Sequence, residues 1–199
     1  MKILHLISSP RNEGSFSIKL GNAIVAQLQS KYPGSTVKTR DLTATPFPHL
    51  EEVHITSFYT PAEARSAELT EAIKHSDEAI SQLQEADIIV IGAPMYNFNI
   101  HSSLKAWIDH VIRRGTTFSI SEKGVEGLVK GKKVYLAISS GGVFSEGHMK
   151  GADFIEPYLK HILGFIGLTD ITTYRVEGLS IPGIQDTALE KALGLITAA

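Results

Sequence analysis

The chain has 199 residues, 43% of them hydrophobic, and carries 19 Lys and Arg against 21 Asp and Glu for a net charge of −2. That length suits one domain with a sizeable core, and the near-neutral balance without a basic stripe disfavours nucleic acid and anionic membrane as partners. The lack of cysteine excludes disulfides, thiolate catalysis and Cys-zinc sites. No run approaches a membrane span, and the apolar run at the N-terminus is too short for a signal segment, so the expectation is a soluble cytoplasmic protein.

In chain order, residues 2–8 read as the first strand. Ile3, Leu4, Leu6 and Ile7 are nearly continuous, as in a strand covered on both faces. The loop Ser8-Ser9-Pro10-Arg11-Asn12-Glu13-Gly14-Ser15-Phe16-Ser17 then leads into a helix marked by Leu20, Ile24, Val25 and Leu28. Ser15 is a good N-cap, with Ser17 as the first hydroxyl inside. A helix N-terminus has unpaired N–H groups and a partial positive charge, so it accepts phosphate, and Ser9, Ser15 and Ser17 add uncharged donors. There is no Gly-Lys-Ser/Thr and no Gly-x-Gly-x-x-Gly. ATP and a dinucleotide fingerprint are thereby disfavoured, and a single phosphate fits better. Capping alone would also account for these serines. Arg11 is either a solvated loop residue or a partner for a phosphate or an anionic cosubstrate.

Tyr32-Pro33-Gly34 ends the first helix. Residues 37–42 form a shorter, more polar strand suited to a sheet edge. Residues 43–60 are long and irregular, with His49 and His54 read as surface residues. A helix is expected from Pro61 to about residue 84, with Leu69, Ile73, Ile80 and Leu83 on its apolar face.

Residues 87–93 are the third strand, built on Ile88-Ile89-Val90-Ile91. The block Ala93-Pro94-Met95-Tyr96-Asn97-Phe98-Asn99-Ile100 follows, ahead of a helix over 102–114 with Leu104, Trp107, Ile108, Val111 and Ile112 at helical spacing. Two aromatics, two amides and a thioether in five residues suit a flat, heteroaromatic, hydrogen-bonding ligand. A polar turn with its aromatics tucked into the core is the plainer alternative. Residues 115–131, with Phe118, Ile120 and Leu128, read as a short hairpin or an extended excursion.

Residues 133–139 are the fourth strand and run into Ser139-Ser140-Gly141-Gly142-Val143, a turn small enough for close backbone approach to a flat ligand. The next helix carries Ile155, Tyr158, Leu159, Ile162, Leu163 and Ile166, and Gly164 and Gly167 close it. Phe165 and Ile166 exceed what one helix face needs, which points to a subunit contact. Residues 169–177 form the last strand, and 189–196 lie in the closing helix.

Five strands with helical crossovers define a single α/β domain over 1–199. It is a flavodoxin-like, doubly wound parallel sheet of strand order 2-1-3-4-5 with helices on both faces. In that order the loops after strands one, three and four are neighbours at the switch point. Hydroxyls for a phosphate then stand beside aromatics, amides and glycines for a ring, a combination that FMN uses. No metal-ligand spacing is apparent.

The blocks at 93–100 and Leu163-Gly164-Phe165-Ile166-Gly167 resemble the FMN-dependent NADH-azoreductases. So do Leu104-Lys105, Trp107-Ile108-Asp109, Gly115-Thr116-Thr117-Phe118, Glu126-Gly127-Leu128-Val129, Lys132-Lys133 and Ser139 to Gly142, in order and at compatible spacing over almost the whole chain. The resemblance implies a flavodoxin-like homodimer, with its active site at the subunit interface, that reduces quinones and aromatic azo compounds with NADH. Reaction would proceed in two steps (ping-pong) through bound FMN. It implies that Ser9, Ser15, Phe16 and Ser17 hold the phosphate and ribityl chain. Met95, Tyr96, Asn97 and Phe98 would line the isoalloxazine, with Asn97 tuning it, and Ser139, Ser140, Gly141 and Gly142 would bracket its pyrimidine side. No side chain need act as nucleophile or strong base. The chain departs from many relatives at His101, where they have proline, and at Ile120 and Ile162, where some have aromatics, and these differences bear on substrate range. Two other classes stay open: an electron carrier without a substrate of its own, and a non-catalytic flavin-binding regulatory domain.

Overall fold

The structure is a computed structural model that describes residues 1–197. Its strands are β1 (Lys2–Ile7), β2 (Thr36–Asp41), β3 (Ile88–Pro94), β4 (Phe118–Ser121), β5 (Gly124–Gly127), β6 (Lys133–Ser139) and β7 (Asp170–Val176). Its α-helices are α1 (Phe16–Lys31), α2 (Glu52–Tyr59), α3 (Ala67–Glu85), α4 (Ser102–Val111), α5 (Glu156–Phe165) and α6 (Gln185–Thr197). Five strands pair in parallel in the order β2-β1-β3-β6-β7, while β4 and β5 form a separate antiparallel hairpin. Counted among the sheet strands alone, this is the expected order 2-1-3-4-5, and the stretch 115–131 is the hairpin.

The aliphatic runs explain the sheet. Successive side chains of a strand point to opposite faces, so alternate residues enter different clusters. Leu4, Leu6, Ile89 and Ile91 pack with Leu83 of α3, Leu104 and Trp107 of α4 and Leu163 of α5. Ile3, Ile88 and Val90 pack with Leu20, Ile24 and Leu28 of α1 and Ala188, Ala192 and Ile196 of α6. β1 lies between β2 and β3 with Ile7 opposite Gly92, and β3 meets β6 with Pro94 opposite Ser139. The chain leaves β1 towards one edge and β3 towards the other, so the loops after β1, β3 and β6 emerge side by side.

Four sequence expectations are corrected. The stretch 43–60 contains α2, whose first turn is held by the Glu51 N–H donating to His54 Nδ1 at 3.1 Å. His54 is therefore buried, with its ring edge-on to that of His110 at 5.2 Å, and is not a surface residue. Pro61 does not start the long helix: a short 3₁₀ turn spans Ala62–Ala64, and α3 begins behind Ser66, whose Oγ accepts the Leu69 N–H at 3.2 Å. The hydroxyl cap outweighs the proline signal because it satisfies a donor that proline leaves alone. Ile166 is fully buried in the chain's own core and offers no surface to a partner, while Phe165 is half-buried, with its ring on Phe118 of β4 at 4.7 Å. Helix α4 ends at Val111, short of 114, because Thr117 Oγ1 donates to the Val111 carbonyl at 2.6 Å and accepts the Arg113 N–H at 2.9 Å. Among the described residues no helix is long and apolar enough to cross a membrane.

Candidate active site

A cleft of about 310 Å³ opens at the carboxyl ends of β1, β3 and β6. Three predicted segments meet there. The loop after β1 and the start of α1 bring Ser9, Arg11, Ser15 and Phe16. The end of β3 brings Pro94, Met95 and Tyr96, and the end of β6 brings Ser139, Ser140 and Gly141.

The first segment is a donor set. Ser15 caps α1, accepting the Ile18 N–H at 3.4 Å, and its Oγ lies 3.1 Å from that of Ser17. The N–H groups of Phe16 and Ser17 meet no acceptor among the described residues, as expected for the first turn of a helix. Ser8 Oγ donates to the Gly92 carbonyl at 2.7 Å, which ties this loop to β3. A Cβ on Gly92 would stand 3.4 Å from the Leu6 carbonyl oxygen and 3.5 Å from that of Ser17, so a side chain there would crowd the junction.

The second segment is a strained hairpin turn. Tyr96 and Asn99 exchange two backbone hydrogen bonds at 3.0 Å, and the residues between them, Asn97 and Phe98, have φ of 48° and 67°. Two consecutive left-handed residues are the mark of a type I′ turn. Such backbone is costly for phenylalanine and clusters at functional sites. His101 caps α4 through Nδ1, which accepts the Ser103 N–H at 3.3 Å, and its ring meets Tyr96 edge-on at 5.7 Å.

The third segment supplies further free amides. The N–H groups of Gly141 and Gly142 donate to nothing among the described residues, while the carbonyls of Ser140, Gly141 and Gly142 are taken by Leu179, Ser180 and Gly178. A Cβ on Gly141 would lie 2.7 Å from Ser180 Oγ, so the missing side chain lets that hydroxyl close in.

Of the residues singled out in the sequence, Ser9, Ser15, Phe16, Met95, Tyr96, Ser139, Ser140 and Gly141 line the cleft. Ser17 is buried behind Ser15. Asn97 and Phe98 form the outer tip of the turn, where Phe98 is half exposed and edge-on to Phe144 at 6.1 Å. Gly142 stands one residue beyond the lining, with the Phe144 ring 3.1 Å from where its Cβ would be. Sequence reasoning missed Leu179 and Ser180, which come from the segment after β7. No spacing signal marks them, since only the sheet brings β7 beside β6. The cleft beside Lys2, Leu4 and Gln82 lies at the other end of β1, away from these donors.

Fold and cleft together define a flavodoxin-like α/β protein with a ligand site at the switch point of its sheet. A family model described as having a flavodoxin-like fold matches residues 1–198. Over 192 residues the chain is 49% identical to an FMN-dependent NADH:quinone oxidoreductase of Rhizobium etli, covering 96% of this chain and 92% of that one. Over 191 residues it is 44% identical to an FMN-dependent NADH:quinone oxidoreductase of Beijerinckia indica, covering 96% and 95%. Its structure superposes on a crystal structure of an azoreductase from Bacillus anthracis with a TM-score of 0.89, 28% identity and full coverage of both chains. The chain belongs to this flavodoxin-like family and, within it, to the FMN-dependent NADH:quinone oxidoreductases.

Proposed function

We propose that this protein is an FMN-dependent NADH oxidoreductase that reduces quinones and aromatic azo compounds by a ping-pong mechanism, folded as a single domain with helices on both faces of the sheet. The observation that carries the reading is the convergence on one cleft of helix-start amides with serine hydroxyls, a thioether and aromatic, and a glycine turn with free N–H groups. The names and likeness of its relatives support it.

The residues present fit FMN. Ser9, Ser15 and the free amides of Phe16 and Ser17 would hold the phosphate and ribityl chain, with the positive end of α1 behind them and Arg11 at the rim. Met95, Tyr96, Asn97 and Phe98 would line the isoalloxazine. The N–H groups of Gly141 and Gly142 would favour negative charge on its pyrimidine side, with Ser139 and Ser140 beside them. Bound FMN would supply two-electron redox chemistry between NADH and the acceptor. The protein's part is to place the ring, keep one face open and tune its electronics.

A homodimer with the cleft at the subunit interface completes the reading, and NADH availability places the enzyme in the cytoplasm. Purified protein, incubated with FMN and freed of excess, is expected to be yellow, to bleach with NADH under anaerobic conditions and to recover colour with benzoquinone. Colourless folded protein would refute the flavin site. A yellow protein that NADH cannot bleach would refute the enzyme.

A further inference from the structure

We propose that Glu177 is a positioning residue for the cleft: its carboxylate pins the turn after β6 in the form that leaves the Gly141 and Gly142 N–H groups free for the flavin. The inference rests on the flavin reading above.

Glu177 follows β7 directly. Its Oε1 accepts the N–H of Phe144 at 2.9 Å and of Ser145 at 3.0 Å, and its Oε2 accepts Ser145 Oγ at 2.5 Å. The neighbouring backbone completes the clamp. Ser140 N–H donates to the Val176 carbonyl at 3.0 Å, while Gly178, Leu179 and Ser180 donate to the carbonyls of Gly142, Ser140 and Gly141 at 3.1, 3.3 and 2.9 Å. The carbonyls of Ser140, Gly141 and Gly142 and the amides of Phe144 and Ser145 are thus committed to the 176–180 segment, and the amides of Gly141, Gly142 and Val143 are left over among the described residues. Two adjacent glycines have many accessible conformations, so an outside constraint is needed to hold one of them. Charge-assisted bonds to backbone N–H groups are strong enough to supply it.

The carboxylate is itself held. Arg175 Nη1 donates to Glu177 Oε1 at 3.1 Å, and the two side chains are only 10% and 12% exposed. Arg175 also pairs with Asp153 and, at 2.5 Å, with Glu156, while Lys160 pairs with Glu156 at 2.7 Å. Burial alone would raise the Glu156 carboxyl, but hydrogen bonds from Lys160, Arg175 and Thr173 hold it down at about 2. Three carboxylates face two cations, so the cluster carries one net negative charge when ionised. That charge, acting through space, would oppose electron density on a reduced ring. The pinned amides would favour it. The two effects have opposite signs, and this separates positioning from simple electrostatics.

The test compares wild type with Glu177→Asp, Glu177→Gln and Glu156→Gln. FMN affinity is read by fluorescence titration, the midpoint potential of bound FMN by spectroelectrochemistry, and amide exchange in the apoprotein by mass spectrometry. Glu177→Asp keeps the charge but falls one methylene short, and it should weaken FMN binding about tenfold. It should also speed exchange at Phe144 and Ser145 and shift the potential negative. Glu177→Gln should do the same. Glu156→Gln removes a charge from the cluster without touching the turn and should leave affinity within about twofold. Wild-type affinity and exchange in both Glu177 variants would overturn the proposal, as would a positive shift of potential shared by both Gln variants. Should the Glu177 variants fail to fold, Ser145→Ala drops one bond to Oε2, and unchanged FMN affinity there would overturn it. If wild type itself binds no FMN, the flavin reading fails, while the exchange data still report on the clamp.

Discussion

Histidine 5 shows how a single side chain constrains its surroundings. It lies in β1, 2% exposed, with Nε2 lacking a partner among the described residues, and a Cβ on Gly21 of α1 would stand 2.7 Å from that nitrogen. The glycine is there to make room. Burial lowers the His5 pKa from 6.5 to about 4. Between those values the unfolded chain binds a proton that the folded chain refuses. Stability is therefore full above pH 6.5 and declines as pH falls towards 4, by roughly 3 kcal/mol in all. Urea denaturation between pH 7 and 4.5 should show the decline, and His5→Leu should reduce it. Burial lowers His110 as well, so part of the slope should persist. The Glu156 carboxyl, held at about 2, loses its contribution only as pH falls from 4.5 towards 2, below the histidine window. The sequence showed a histidine inside an apolar strand and a glycine inside a helix; it did not show that they touch.

At the scale of elements, the β4–β5 hairpin is docked by two glycines. A Cβ on Gly127 would lie 2.2 Å from the Gly167 nitrogen, and Gly167 has a φ of 104° at the turn between α5 and β7. Val129 N–H donates to the Ile166 carbonyl at 2.8 Å across the same contact. Backbone cannot yield as a flexible side chain can, so Gly127→Ala should cost about 2 kcal/mol or more. Gly151→Ala, with nothing near its Cβ and ordinary φ, should be close to neutral. Thermal or urea denaturation of the two variants checks the difference. Gly127 and Gly167 both stood in blocks that resemble the family. Their mutual contact spans 40 positions and left no trace in periodicity.

For the whole molecule, assembly is the open scale. Ile120 and Val125 are direct partners across the hairpin and stay 51% and 54% exposed, and Leu128 nearby is 42% exposed. Exposed apolar residues paired on one ribbon fit a covered interface. If a second copy covers them, the 21.6 kDa chain should sediment at twice its mass. The double change Ile120→Asp with Val125→Asp should then give monomers that remain folded, because neither side chain belongs to the core. Wild type sedimenting as a monomer would remove the dimer from the functional reading.

The sequence by itself determined the five strands of the parallel sheet, their order and three of the loops that meet at the cleft, and left the β4–β5 hairpin open. Hydrophobic periodicity is a local signal, and parallel strands joined by crossovers admit few topologies. It also led to the family, through blocks rich enough to be specific. Tertiary structure alone decided which residues complete the cleft and which hold it in shape. Leu179 and Ser180 enter because β7 lies beside β6, and Glu177 reaches the glycine turn across the same pair. His54 and Ile166 turned inward for a like reason. Burial and partnership depend on contacts between residues far apart along the chain, and those distances exist only once the sheet has formed.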